Sequence, residues 1–316
     1  MKFEVRVPIS PRNHFFHRIG LLLESLRACG GIAATARLVV SIGDDSDPFD
    51  VAEQYPWSRG NVVWRWVDRD AFRRDSFYAT GVDRLKVVSD ADIVLFADAD
   101  VIFVAGIDDL LESLVRAPAI AGVIAHFPPN DILDWNRLFE DAKIPAPQDV
   151  YQYSGWRLMN PDPARRFTPA YYNVGAVFVP GSWVPMLRYN FESDIEIADA
   201  AGLGFFKAQA ALTLGLYRLG LRRITLEPRY NFPNDPLFDA AYPEDLRDIR
   251  ILHYLRTNIV SRERDFASSA ALDALIARKD LTGSNEVLRT TLAKLVGRSR
   301  HKQLVEVADT DAGIAR

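Results

Sequence analysis

Cysteine is almost missing: Cys29 is the only one in 316 residues. That excludes an internal disulfide framework and leaves the redox compartment open, with a reducing cytosol the expectation. Its place in an apolar helical stretch reads as a small core side chain. Long hydrophobic runs are missing as well. No stretch approaches the roughly 20 apolar residues that cross a bilayer, and the opening MKFEVRVPIS holds no apolar run long enough for a signal peptide. The expected location is cytoplasmic. The basic RSRHK at 298–302 reads as a solvated helix face or as a peripheral contact with the inner face of a membrane. A large charge of one sign is also lacking. The 38 basic and 42 acidic residues leave a net charge of −4, which argues against a nucleic-acid partner gripped broadly by its phosphates. There is no internal repeat and no low-complexity block.

What is present is ordinary core material. The chain is 48% hydrophobic, enough for one large domain or two smaller ones. FEVRVPI, ARLVVSIG, NVVWRWV and ADIVLFADAD read as four strands, GVIAHF, NVGAVFVP and the short RILHYL as further ones, and RRITLEPRYNF as a strand with a loop. NHFFHRIGLLLESLRACGG carries apolar residues at helical spacing and ends on a Gly-Gly stop. SFYATGVDRLKVV, IDDLLESLVRA and GFFKAQAALTLGLYRLG read as helices. Strands alternating with helices predict an α/β fold with a mostly parallel, Rossmann-like central sheet flanked by helices. Pro128 to Pro169, rich in proline and aromatics, reads as an excursion over the sheet edge where a site can be built. Beyond Arg262 the pattern is helical, closing in a tail, ADTDAGIAR.

The stretch VLFADADVIF holds the strongest chemical signal. A continuous apolar run predicts a strand buried on both faces, and it ends in Asp98 and Asp100. Residues i and i+2 of an extended segment point to the same side. Both carboxylates therefore converge at the C-terminal end of a buried strand, where open α/β sheets bind ligands. Paired carboxylates suit a hard divalent cation, Mg²⁺ or Mn²⁺, which also takes phosphate oxygens. An Asp-rich turn or helix start is the structural alternative.

An apolar strand followed by Asp-x-Asp occurs in two enzyme groups. In haloacid-dehalogenase-like phosphatases the first aspartate is a nucleophile near the N-terminus, and the Ser/Thr, Lys and acidic pair that follow it there have no convincing place here. The GT-A glycosyltransferases fit along the chain. VLFADADVIF resembles their metal-binding DxD motif. YYNVGAVFVP resembles the FNSGVMVF-type strand of the glycogenin-like and lipopolysaccharide galactosyltransferase-like retaining families. KAQAAL stands where those families carry an EQDALN-like segment, LEPRYNF resembles their LPPRYN-like segment, and ILHYL resembles their late histidine motif. Order and rough spacing agree for all five. The departures are specific: in KAQAAL only Gln209 matches, with Lys207 and Ala210 replacing acidic partners. HYLRTN lacks the Gly and Lys-Pro-Trp that follow the histidine in those families and help bind the diphosphate. The chain therefore reads as a divergent branch.

The resemblance covers residues 1–260, the expected GT-A-like catalytic domain, with 261–316 as a helical C-terminal extension and tail. It implies a metal-dependent transfer from a nucleotide-sugar donor, UDP-linked before GDP-linked, to a carbohydrate or lipid-linked acceptor. It also implies retention at the anomeric carbon. Asp98, Asp100 and His253 would hold Mn²⁺ or Mg²⁺, and Gln209 and Asp98 would stand at the reacting centre. Arg84 is either a clamp for diphosphate or donor sugar or a solvated helix residue. Asn173 and Gly175 would approach the donor sugar, and Asp44 or Asp45 the base or ribose, although Asp-rich turns are common without function. Trp135 and Trp156 are candidates for stacking on an acceptor sugar. A phosphatase with Asp98 as nucleophile and a non-catalytic nucleotide-sugar or glycan binder are the competing readings.

Overall fold

Seven alternating and β-branched residues, FEVRVPI, build β1 (Phe3–Ile9), every one of them buried. A computed structural model describes residues 1–126, 135–155 and 167–297. From β1 the chain enters α1 (Asn13–Cys29), whose Phe16, Ile19, Leu22, Leu23 and Leu26 form the stripe that helical spacing requires. Gly30, at φ 72°, stops the helix. β2 (Arg37–Ile42), α2 (Val51–Gln54), β3 (Val62–Trp66), α3 (Arg69–Asp75) and α4 (Phe77–Lys86) follow. β4 (Ile93–Ala97) leads through the two aspartates into β5 (Val101–Phe103). Next come α5 (Asp108–Arg116), β6 (Ile120–Ile124), α6 (Trp135–Asp141), β7 (Tyr151–Gln152), β8 (Phe167–Thr168) and β9 (Tyr172–Pro180). The remainder is α7 (Val184–Ala200), α8 (Lys207–Arg218), β10 (Arg223–Thr225), β11 (Phe232–Pro233), α9 (Pro236–Ala241), α10 (Pro243–Arg247), β12 (Ile251–His253), α11 (Ser269–Ala277) and α12 (Gly283–Val296).

The central sheet runs β10-β6-β9-β4-β1-β2-β3. β1, β2, β3 and β4 are mutually parallel, as are β6 and β10. β9 lies antiparallel between β4 and β6. Alternation along β4 explains its unbroken apolar sequence. Ile93, Leu95 and Ala97 join one core with α1 and α5, while Val94 and Phe96 join a second core with α4, α7 and α8. A third core gathers Leu21 of α1, Ile102 of β5, Leu252 of β12 and the C-terminal leucines 272, 275, 288, 292 and 295. It forms beside a small sheet, β11-β12-β5, in which β12 runs antiparallel to β5.

Trp57, Trp64 and Trp66 pack against the first core. Trp135 donates to the Tyr153 hydroxyl at 3.2 Å and packs on Tyr171, so it is a structural residue of the second core. Trp156 and the RSRHK segment lie outside the described residues. Among the described residues, no helix is long and apolar enough to cross a membrane.

Candidate active site

The two strands flanking the aspartates fix the site. β4 delivers Asp98 at its C-terminal end, with the Asp98 amide held by the Gly175 carbonyl of β9 at 3.2 Å. β5 pairs antiparallel with β12, putting His253 opposite Val101. The Tyr254 amide donates to the Asp100 carbonyl at 2.9 Å. These pairings bring together side chains far apart in sequence. His253 Nε2 lies 3.2 Å from Asp100 Oδ1 and 3.9 Å from Asp98 Oδ2. One ligand atom from each of the three lies within 4.8 Å of the others.

Gly175 makes the imidazole's place. A Cβ there would stand 2.3 Å from His253 Cε1 and 2.5 Å from Nδ1, so any side chain would occupy the ring's position. The tautomer is set one layer further out. Asn231 Nδ2 donates to Asn173 Oδ1 at 3.1 Å, which turns Asn231 Oδ1 toward His253 Nδ1 at 3.0 Å. Asn173 Oδ1 also accepts from the Gly175 amide at 2.9 Å. Nδ1 therefore carries the proton, and in a neutral ring Nε2 presents a lone pair to Asp100. A lone pair facing a carboxylate oxygen at 3.2 Å needs a proton or a cation between them. One nitrogen and two carboxylate donors converging in this way form a possible site for a divalent cation.

Burial opposes ionisation of Asp100, but the His253 charge and hydrogen bond, then Arg262, outweigh it and hold the carboxyl well below the usual range. Burial also opposes a charged His253, yet Asp100 and Asp98 raise its pKa overall. Asp98 is pushed up, first by burial and then by its like-charged neighbour. Its side chain still keeps 36% of its surface, so it is the carboxylate open to a ligand.

The other predicted residues divide into two groups. Arg84 is no solvated helix residue: it turns inward, its Nη1 3.3 Å from the Ala97 carbonyl and its guanidinium over the Phe96 ring. Burial lowers its pKa, against the pull of the Asp98 charge. Gln209 is buried in α8, and its Oε1 accepts from the Val174 amide at 3.3 Å, beside Asn173 and Gly175. Asp44 and Asp45 stand apart. Asp44 Oδ1 accepts from its own turn amides, and Asp45 pairs with Arg73 at 2.6 Å. Their loop follows β2, at the sheet edge where the parallel β4 delivers Asp98. Asn231 and Arg262 were not singled out from sequence. Asn231 lay inside LEPRYNF, which signals a segment but not that its amide orients the histidine. Arg262 carried no signal.

No protein-family model matches the chain, and no curated protein matches it in sequence. Solved structures do match. Galactosyltransferase LgtC, crystallised with donor and acceptor sugar analogues, aligns at 14% identity over 95% of this chain and 99% of its own, with a TM-score of 0.52. GlyE of Streptococcus pneumoniae TIGR4 aligns at 13% identity over 98% of this chain and 64% of its own, also at 0.52. The bifunctional glycosyltransferase WbbM aligns at 14% over 97% of this chain, which spans about half (51%) of that longer protein, again at 0.52. At such identities the likeness is one of fold: this chain has the GT-A glycosyltransferase fold, resembling the family 8 type.

Proposed function

We propose that the chain is a metal-dependent glycosyltransferase that moves a sugar from a nucleotide-sugar donor, first of all a UDP-sugar, to a carbohydrate or lipid-linked acceptor in glycan or lipopolysaccharide-type synthesis. The observation that carries the reading is the convergence of Asp98, Asp100 and His253, with Gly175 vacating the imidazole's space. The LgtC structure with donor and acceptor sugar analogues supports it by fold. Residues 1–260 form the catalytic unit in this reading, and the chain beyond them is a C-terminal extension.

Mn²⁺ or Mg²⁺ held by these three side chains would act as a Lewis acid toward the charge that grows on the leaving diphosphate. Asp100 remains ionised, and Asn231 keeps the His253 Nε2 lone pair aimed at the carboxylates. Arg84 adds a fixed positive charge beside Asp98 and offers a planar donor fork to phosphate or sugar oxygens. Asn173 and Gly175 form the backbone wall that the donor sugar approaches. Gln209, tied to that wall through Val174, stands near the anomeric carbon, and retention is the outcome proposed there.

The test is UDP release from a panel of UDP-sugars with and without Mn²⁺, beside calorimetric UDP binding. Asp100→Ala should stay folded and lose Mn²⁺-dependent UDP binding. Unchanged affinity would remove the site from the chemistry, and an aspartyl-phosphate trapped on Asp98 would select the phosphatase reading instead.

A further inference from the structure

Asp100 is engaged on both oxygens. Oδ1 faces His253, while Oδ2 accepts from Arg262 Nη1 at 2.5 Å. The carboxylate keeps 5% of its side-chain surface and Arg262 keeps 40%. The guanidinium thus covers the solvent side of a buried anion while remaining half in water itself. The turn carrying Arg262 is fixed. The Ser261 amide donates to Asp265 Oδ2 at 2.8 Å, and the Asp265 amide returns to the Ser261 carbonyl at 3.0 Å. Phe266 stacks on Tyr254 with ring centroids 4.9 Å apart, and Arg278 holds the Ile259 carbonyl at 2.8 Å. The backbone is tied down, whereas the Arg262 side chain reaches the carboxylate from the solvent side and keeps 40% of its surface.

We infer that Arg262 is a displaceable counter-ion of the carboxylate cluster. It neutralises Asp100 until a divalent cation takes that carboxylate, and the side chain then swings to solvent. The inference rests on the cation site proposed above. A carboxylate buried this deeply is costly without a compensating charge. A divalent cation competes for the same oxygens, and two positive charges on one carboxylate repel. Arg262 and the cation therefore oppose each other, each weakening the other by the same factor. The residue lowers cation affinity and protects the fold when no cation is bound. A plain structural ion pair would do only the second.

The test titrates full-length wild type, Arg262→Ala and Arg262→Lys with MnCl₂ by calorimetry, and follows thermal unfolding with and without saturating MnCl₂. Arg262→Ala should bind Mn²⁺ more tightly, on the order of 10-fold. Its Tm should fall below wild type without Mn²⁺ and meet wild type at saturation. Arg262→Lys, which keeps the charge but loses the planar fork, should bind more tightly than wild type and less tightly than the alanine variant. Mn²⁺ affinity no higher than wild type, or a Tm deficit unchanged by Mn²⁺, overturns the inference and leaves the cation site standing. Folded wild type and folded Arg262→Ala that both take up no Mn²⁺ overturn both. Should the alanine variant fail to fold, the lysine variant decides by the same comparison with wild type.

Discussion

A methyl group on Gly175 would lie 2.3 Å from His253 Cε1, so Gly175→Ala has to displace the imidazole or the strand. Overpacking of this kind costs about 1–3 kcal/mol. The expected result is a modest fall in Tm with a disproportionate loss of Mn²⁺ affinity; an unchanged calorimetric isotherm would show that the ring has room elsewhere. Gln209→Ala should lower turnover more than donor affinity, because its contact matters most as positive charge develops on the sugar. Equal loss in both, or none, counts against that role. At this scale the apolar run ending in two aspartates was legible but its geometry was not: the chain turns at Ala99–Asp100 between β4 and β5, so the pair converges across a turn and not along one extended strand. His253 needed the order of five motifs, since its neighbours lie far back in the chain. Arg262 could not be read at all: an arginine in SRERD looks like any solvated charge until β12 returns beside β5.

Among the elements, the end of β6 has a pH-sensitive neighbour. His126 is buried, its Nδ1 2.7 Å from Ser154 Oγ, and its pKa is lowered to about 3 by burial, with smaller contributions from His253 and Arg256. The unfolded ring titrates near 6.5. Between those values the unfolded chain binds the extra proton, so this contribution is whole above about pH 6.5 and shrinks as pH falls toward 3, by ~1.4 kcal/mol per pH unit. His126→Gln should flatten the urea-midpoint profile between pH 6.5 and 4.5. A profile as steep as wild type would assign the acid sensitivity to other groups. The elements themselves were unevenly legible. β4 announced itself by apolar continuity, and α1 by its stripe. α7 was hidden, since its buried face includes Asp194, neutralised by Arg218 at 2.5 Å, and a carboxylate there breaks the apolar period. α3 is polar on nearly every position of RDAFRRD, and what starts it is a cap: Asp68 accepts from the Ala71 amide. The strand NVGAVFVP could be read, but not its direction, because periodicity is the same both ways.

Across the whole molecule, the C-terminal helices are joined to the site's scaffold. Leu288 and Leu292 of α12 share a core with Ile102 and Leu252, the strands that present Asp100 and His253. Leu292→Ala should therefore cost about 2–5 kcal/mol, read as a lower urea midpoint for the full chain. Loss of far-UV signal and of Mn²⁺ binding should coincide in that titration; separate transitions would make the helices an appended piece. The antiparallel β9 has a consequence for how the protein is made. On the ribosome the chain emerges N-terminus first. β1 to β4 can pair among themselves as they appear, but β6 has both its partners, β9 and β10, still to come. One edge of β4 also stays open until Tyr172–Pro180 has left the exit tunnel. A nascent chain stalled before that point would expose unpaired, strongly apolar strand edges, the template on which polypeptides stick to one another. The late arrival of one central strand thus makes the middle of synthesis the interval in which this protein most needs a chaperone.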